Sequence, residues 1–522
     1  MKDRKKEILI ISIILVIQTI IFTIVGINKE YIHMDEAYSL GLANYDKVEI
    51  QNSEDFYNKW HNGEYYEDYL AVQDKDIGKY KQVYENQKND VHPPIYYLLL
   101  RIAMGLSVNN YSKWPGIILN MIIYIFITIF MYLILQKLFE NKKYSKEKAL
   151  TLAFVSSITM ASLTNVIYIR MYALSALNIL ITTYLHMKLI DSEKIKPKLL
   201  LSIGISALIG SLTHYYYLFY LAMLYVTFVI KYIKEKKYKD LIYYTITMCI
   251  AGALSLIIFP YSIQHMFFGY RGQGVISKLT NVPEFAKSIA DYLAKVNEFA
   301  FNNLMTVIIL AIAGFTIYKL IQKQKIMKEK NKYINHILIS MLFYFGLVAV
   351  ASPWIELRYI MPICGLIFVV TIYYYEQIVC KFSEKTNNII MIVTLVIVLI
   401  SPIIFKIEPE VAYLDKKEIV SQLENELNVP TLYLFNSGHN RFLDDILLFS
   451  ILDESYVAKD LECTEENIKE ILKDKDISKG IVVFINEGQE NDPKLQSIVN
   501  AMKLEKWTYL KRLNACDVYY VY

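Results

Sequence analysis

Apolar residues fall along this chain in long runs separated by short polar connectors, not at the close spacings of a soluble core. Eleven such runs are visible, roughly Ile8–Ile27, Trp114–Gln136, Ala149–Leu163, Met171–Met187, Leu199–Thr213, Tyr215–Ile230, Leu241–Pro260, Asn303–Tyr318, Ile334–Ala351, Tyr359–Val379 and Ile389–Phe405. A helix that crosses hydrocarbon needs about 20 mostly apolar residues. The pattern therefore predicts a polytopic α-helical membrane protein with about eleven transmembrane helices. A shorter apolar segment, Ile95–Leu106, is interrupted by Arg101 and follows His92-Pro93-Pro94. Its apolar residues Ile95, Leu98, Leu99, Ile102, Ala103 and Leu106 recur at helical spacing, which predicts an interfacial helix over 94–106 rather than a span.

Polar segments orient these runs. Met1–Glu7 carries Lys2, Arg4, Lys5 and Lys6 ahead of an apolar run too long for a cleaved signal, so it reads as an uncleaved first helix. The connectors 137–148, 188–198, 231–240 and 319–333, with Lys381, Lys385 and the N-terminus, hold 26 Lys and Arg, whereas four short connectors on the other side hold only Lys113, Arg170 and Arg358. By the positive-inside rule the N-terminus is cytoplasmic and the sparse side is external. The large first outer loop, 28–113, is acidic: residues 28–92 carry 14 Asp and Glu against 7 Lys. Residues 1–406 read as the transmembrane domain. From about Ile407 the pattern turns soluble, with charged helical stretches (Asp415–Leu427, Glu465–Leu472, Pro493–Met502) alternating with β-rich runs (Thr431–Phe435, Gly480–Ile485, Val518–Tyr522). Residues 407–522 are thus expected as a small extracytoplasmic α/β domain.

Composition narrows the function classes. The chain is 55% hydrophobic with mean hydropathy +0.29, which excludes a soluble enzyme. A net charge of +4 over 522 residues is too small to suggest nucleic acid. Five cysteines make no disulfide scaffold, although Cys463 and Cys516 share the external domain, where a bridge and two free thiols are both open. Neither a GxxxxGK[ST] nor a GxGxxG motif occurs.

Candidate chemistry lies on the outer side. Asp35-Glu36 follows the first span by eight residues; adjacent carboxylates so placed repel, and one can titrate high. An acidic pair is equally what a loop already rich in carboxylates would contain by composition. Arg170, in Tyr168-Ile169-Arg170-Met171-Tyr172, and Arg358, in Glu356-Leu357-Arg358-Tyr359, stand at outer helix ends. Each reads as a planar donor for a phosphate oxygen or as an arginine snorkelling to lipid. His92 and His214, the latter in Thr213-His214-Tyr215, read as donors to phosphate or sugar, or as a helix start and an interfacial turn. Collected at one leaflet, these groups suit a lipid phosphate with a sugar facing outward.

The ordered set Asp35-Glu36, His92-Pro93-Pro94-Ile95-Tyr96-Tyr97, Arg170-Met171-Tyr172 and Glu356-Leu357-Arg358-Tyr359-Ile360-Met361-Pro362 resembles glycosyltransferase family 39, the protein O-mannosyltransferase and aminoarabinose-transferase group, over roughly Met1–Phe405. The resemblance implies a GT-C membrane fold and inverting transfer of a monosaccharide from a polyprenyl-phosphate donor to an external glycan, glycolipid or protein. It implies Asp35 as general base and Arg170 as ligand of the donor phosphate. Glu36 would position the acceptor or the loop, with His92, Tyr172, His214, Tyr215 and Arg358 as further substrate-binding residues. No obligatory metal is expected, because a monophosphate leaving group among basic residues has little need of a divalent ion. Two other classes compete: a transporter or lipid-linked sugar flippase, which would carry ionisable residues at mid-membrane, and an envelope scaffold that binds through the α/β domain.

Overall fold

The computed structural model describes residues 2–45, 50–140, 142, 144–268, 281–327, 331–379, 383–425, 429–439, 441–486, 490–513 and 516–522. The chain forms two compact units: Met1–Gly26 with Asp90–Tyr96 and Ile117–Glu410, and Ile27–Asn89 with Tyr97–Gly116 and Val411–Tyr522.

The first unit is helical. Among the described residues eight helices are long and apolar enough to cross a membrane, and two further pairs pass that test together but are bent at short breaks. The chain is a multi-pass membrane protein. The fifth expected run, Leu199–Thr213, gives only the 15-residue helix Pro197–Ser211, started by proline at its first position. Uniform hydropathy concealed which helices are central. In Tyr172–Asp191 and Met361–Ile378, 72% of the most apolar window is buried within the protein, against 11% in Glu7–Ile27.

Polar side chains serve both bends. Ser145–Ser157 and Met160–Ile167 meet at 57°, and Val282–Ala300 and Met305–Ile321 at 105°. At the second break Asn302 and Asn303 take φ of 52° and 68°, a left-handed conformation that asparagine tolerates better than most residues. Broken helices free backbone groups that hydrocarbon cannot satisfy, and here side chains do so. Asn297 Oδ1 accepts the Met305 N–H at 3.0 Å. Asn302 accepts the Met160 N–H at 3.4 Å and donates to the Val398 carbonyl at 2.8 Å, tying the two breaks and a third helix together. The unit also buries an ion pair, Lys148 Nζ to Glu376 Oε1 at 2.8 Å, with side chains 0% and 6% exposed.

The second unit is built on a six-stranded sheet of order β1-β3-β2-β4-β6-β5: β1 Trp60–His61, β2 Thr431–Phe435, β3 Ser455–Lys459, β4 Ile481–Asn486, β5 Trp507–Arg512 and β6 Cys516–Val521. β2 pairs in parallel with β3 and β4. β2 and β4 are buried at every position, the continuous apolar reading of central parallel strands. β6 and β5 complete that side antiparallel. The other edge, β1, comes from the long loop 28–113: Trp60 pairs with Tyr456 and His61 with Ser455. Trp60 Nε1 donates to the Ile471 carbonyl at 3.2 Å, and the Tyr66 hydroxyl meets Ser455 Oγ at 2.8 Å. The sequence assigned loop 28–113 to the transmembrane part; in the structure most of it forms one body with the C-terminal sheet.

The interfacial segment forms the helix Ile95–Met104. Ile102 and Leu106 stay exposed, as a lipid-facing stripe would, while Leu100 and Met104 are buried. Arg101 is buried too, donating to the Ala43 and Asn44 carbonyls at 3.0 and 2.8 Å and to that of Asp76. The residue that interrupts the apolar run thus satisfies the C-terminal carbonyls of helix Met34–Asn44. Cys463 and Cys516 are both free thiols.

Lys148→Met should lower unfolding stability by about 3–5 kcal/mol, because it leaves Glu376 buried and unpaired. Lys148→Met/Glu376→Leu should recover most of that loss in denaturant unfolding of the detergent-solubilised protein.

Candidate active site

In the second unit, Asp35 and Glu36 occupy the first turn of helix Met34–Asn44. Its N-cap is His33, whose Nδ1 accepts the Asp35 N–H at 3.0 Å, while Glu36 Oε2 accepts the His33 N–H at 2.9 Å, closing a capping box. Glu36 is fully buried and the same oxygen takes Lys29 Nζ at 2.8 Å. Lys29 also donates to the Val411 carbonyl at 3.0 Å. Burial pulls the Lys29 ammonium below its ordinary pKa, and Glu36 opposes that. Glu36 therefore fits the task of fixing the loop, not of touching an acceptor. Asp35, with 17% of its side chain exposed, lies 4.0 Å from the His33 ring. Gly41 is required on the same helix: a Cβ there would fall 2.1 Å from the Tyr69 ring.

Beneath this turn lies Arg441–Asp445, which sequence reasoning missed. Asp444 is buried and receives Arg441 Nε at 2.9 Å. Burial raises its pKa. Asp445 is pushed up to about 7 by burial and then by Asp444; it accepts the Tyr31 hydroxyl at 3.3 Å and the Cys516 thiol at 3.2 Å. The signal was present in Phe442-Leu443-Asp444-Asp445-Ile446-Leu447-Leu448, where two acids interrupt an apolar run.

In the first unit, the basic candidates converge from separate segments. His92 precedes a helix whose Ile95 N–H reaches the Leu212 carbonyl at 3.1 Å, which brings it beside the 210–217 turn. The His92 and His214 rings stack with centroids 6.4 Å apart, and Tyr172 lies 5.4 Å from His214. Arg170 is buried in a tight turn, its N–H on the Tyr168 carbonyl at 2.7 Å. Asn120 Nδ2 holds that same carbonyl at 2.7 Å. Arg358 lies over the Tyr359 ring at 5.1 Å; Tyr359 contacts Tyr216, and Tyr216 contacts His214. Tyr215 turns elsewhere, to His265 Nδ1 at 2.9 Å, and burial raises its pKa.

The member of this cluster that the sequence reading missed is Asp90. Its Oδ2 accepts His92 Nδ1 at 2.7 Å, fixing the imidazole as an orienting carboxylate does. Burial alone would raise the Asp90 pKa; the charges of His92 and Arg170 outweigh it and hold the carboxyl below its ordinary value. Asp90 counted only as loop charge, though the spacing Asp90-Val91-His92 was visible. Among the described residues no three His, Cys, Asp or Glu side chains are grouped to hold a metal ion.

No protein-family model and no curated protein matches the chain. Solved structures do. A crystal structure of ArnT from Cupriavidus metallidurans bound to undecaprenyl phosphate superimposes with a TM-score of 0.50 over 98% of this chain and 97% of that one, at 9% identity. The fold is that of ArnT. Its apo structure gives a TM-score of 0.43 at 8% identity, over 96% and 97% of the two chains. ArnT has the GT-C fold, so the polytopic GT-C architecture with a small C-terminal sheet domain stands as the sequence predicted. Likeness to ArnT does not extend to the finer assignment to family 39.

The sign of the Asp90 shift gives a stability prediction. A depressed carboxyl stabilises the fold above its ordinary value of 3.8 and loses that contribution as pH falls through the lowered value. Asp90→Asn should therefore flatten the fall of melting temperature below about pH 4, read by thermal unfolding across an acid series.

Proposed function

We propose that the chain is a membrane glycosyltransferase that moves a monosaccharide from a polyprenyl-phosphate donor to an acceptor on the external side. The observation that supports this most is the gathering of Asp90–His92, Arg170, Tyr172 and His214 in one buried basic cluster, on the fold of a protein crystallised with undecaprenyl phosphate. The N-terminus lies in the cytoplasm and the C-terminal segment outside, as the lysine distribution requires.

In this reading Arg170 and His92 bind the donor phosphate and take up charge as the bond between the anomeric carbon and the phosphate oxygen breaks. His214 and Tyr172 border the same cluster and bind donor, with Arg358 reached through Tyr359 and Tyr216. Asp35 accepts the acceptor hydroxyl's proton while that oxygen attacks the anomeric carbon from the face opposite the leaving phosphate, inverting the centre. The products are the glycoside and free polyprenyl phosphate. No divalent ion is needed, because the leaving charge is met by protein cations.

The test uses purified protein in lipid, a panel of prenyl-phosphate sugars and an envelope fraction as acceptor, with release of prenyl phosphate followed by mass spectrometry. Wild type should release it with EDTA present. Asp35→Asn should lose about 10²–10⁴-fold in turnover, the usual worth of a general base. Arg170→Lys should weaken donor binding by about 1.5–3 kcal/mol, since it keeps the charge but loses the planar fork. Release unchanged in Asp35→Asn would remove the base assignment. A folded wild type that neither binds nor cleaves any donor would overturn the reading.

A further inference from the structure

We propose that helix Val282–Lys295, in the first unit, is a membrane-surface helix. It lies in the plane of one interface, with an apolar edge between the headgroups and acyl chains of the bilayer and a polar edge in water. This placement is independent of the transferase reading. The helix starts on local signals: Asn281 Oδ1 accepts the Glu284 N–H at 3.4 Å, and Pro283 stands in the first turn. Glu284, Lys287, Asp291 and Lys295 put four charges into 14 residues, too many for a span through hydrocarbon. Val282, Phe285, Ala286, Ile289 and Leu293 recur at helical spacing and share one edge. Burial divides the helix into three faces. Ser288 and Tyr292 are buried against the protein, and the Tyr292 hydroxyl lies 2.7 Å from Ser352 Oγ and 3.1 Å from the Trp354 carbonyl. At the C-terminal end Lys295 Nζ pairs with Glu410 Oε1 at 3.0 Å. The open surface is apolar on one side, with Val282 69% and Leu293 43% exposed beside Ala286, and charged on the other, with Glu284 and Lys287.

Lipid is the occupant of that apolar edge because the edge continues a surface that lipid covers. Across the 105° bend, the apolar helix Met305–Ile321 exposes Val307, Leu310 and Ile317. With Met305–Ile321 crossing the bilayer, the bend turns Val282–Ala300 close to the membrane plane. On the preceding side, the segment after the span Tyr238–Ile258 exposes Phe267 and Phe268. Trp354, joined to Tyr292 through its carbonyl, is exposed as well. Aromatic rings gather at headgroup level. The charges of Glu284 and Asp291 balance those of Lys287 and Lys295, so apolar area and not anionic lipid holds the helix down. Tyr292 also links the helix to Ser352 and Trp354, so its depth sets the height of the connector that carries Arg358.

Full-length wild type in lipid nanodiscs tests this without any substitution. A diazirine dissolved in the lipid should label Val282, Ala286, Ile289 and Leu293, located by mass spectrometry. In the same discs a water-soluble carbodiimide with an amine should modify Glu284, and a water-soluble acylating reagent should modify Lys287. Diazirine labelling should agree within about twofold between phosphatidylcholine discs and discs rich in phosphatidylglycerol, since the charges of the helix cancel. Leu293→Asp should remove most of the labelling at Ala286 and Ile289, whereas Lys287→Gln, on the water side, should leave it in place. An apolar edge that the diazirine does not label would overturn the proposal, because such a helix faces water or protein. Glu284 and Lys287 closed to the aqueous reagents would overturn it too, as the mark of a helix that dips into hydrocarbon. Labelling that requires phosphatidylglycerol would do the same, since it makes charge the anchor.

Discussion

The Asp35 turn depends first on one buried charge pair. Lys29 and Glu36 are both out of water, which is unfavourable for each alone, and removing one partner from such a pair costs about 3–5 kcal/mol. The pair is tolerated because each ion is further hydrogen-bonded: Lys29 to the Val411 carbonyl and Glu36 to the cap N–H of His33. One ammonium therefore joins the first loop, the N-terminus of helix Met34–Asn44 and the start of the C-terminal segment. Arg101 does the same at the far end of that helix, through the Ala43 and Asn44 carbonyls. A buried cation thus stands at each end of this 11-residue helix, Lys29 on its capping-box glutamate and Arg101 on its last carbonyls.

The helical unit meets its own constraint by related means. Hydrocarbon forbids unsatisfied backbone, yet two of its helices are broken. Asn302 serves both breaks, and its left-handed backbone is the conformation the second break needs. Lys148 and Glu376 add an ion pair between two apolar helices. These groups have visible structural work, which takes weight from a transporter reading built on buried charge alone.

Legibility in the sequence followed burial and periodicity. Apolar runs identified the helices because a span must be apolar throughout, but that same uniformity hid the breaks at Ile158 and Asn302 and the shortness of Pro197–Ser211. Strands β2, β4 and β6 were readable as continuous β-rich runs. β3 and β5 were not, since Ser455–Lys459 sets only Tyr456 and Val457 among Ser, Ala and Lys and Trp507–Arg512 carries charge along a sheet edge. β1 is two residues long and gives no local signal. Among the residues singled out from the sequence, His92, Arg170, Tyr172 and His214 lie near one another, and Tyr215 turns to His265. Asp90, Asp444 and Lys29 were passed over because each matters through a partner distant or unremarked in sequence, and composition makes every acid and lysine of an outer loop look solvated.

The two-residue strand β1 has a consequence for the order of assembly. Its partner β3 lies nearly 400 residues later in the chain, and pairing over such separations closes slowly and late. A chain emerging from synthesis contains residues 27–89 long before residues 411–522 exist to receive them. Until then the sheet lacks its edge, Lys29 lacks the Val411 carbonyl and the loop has no completed body to fold onto. Maturation of the Asp35 turn is in this way tied to completion of the whole chain, so a truncated or half-inserted product holds that turn unfinished.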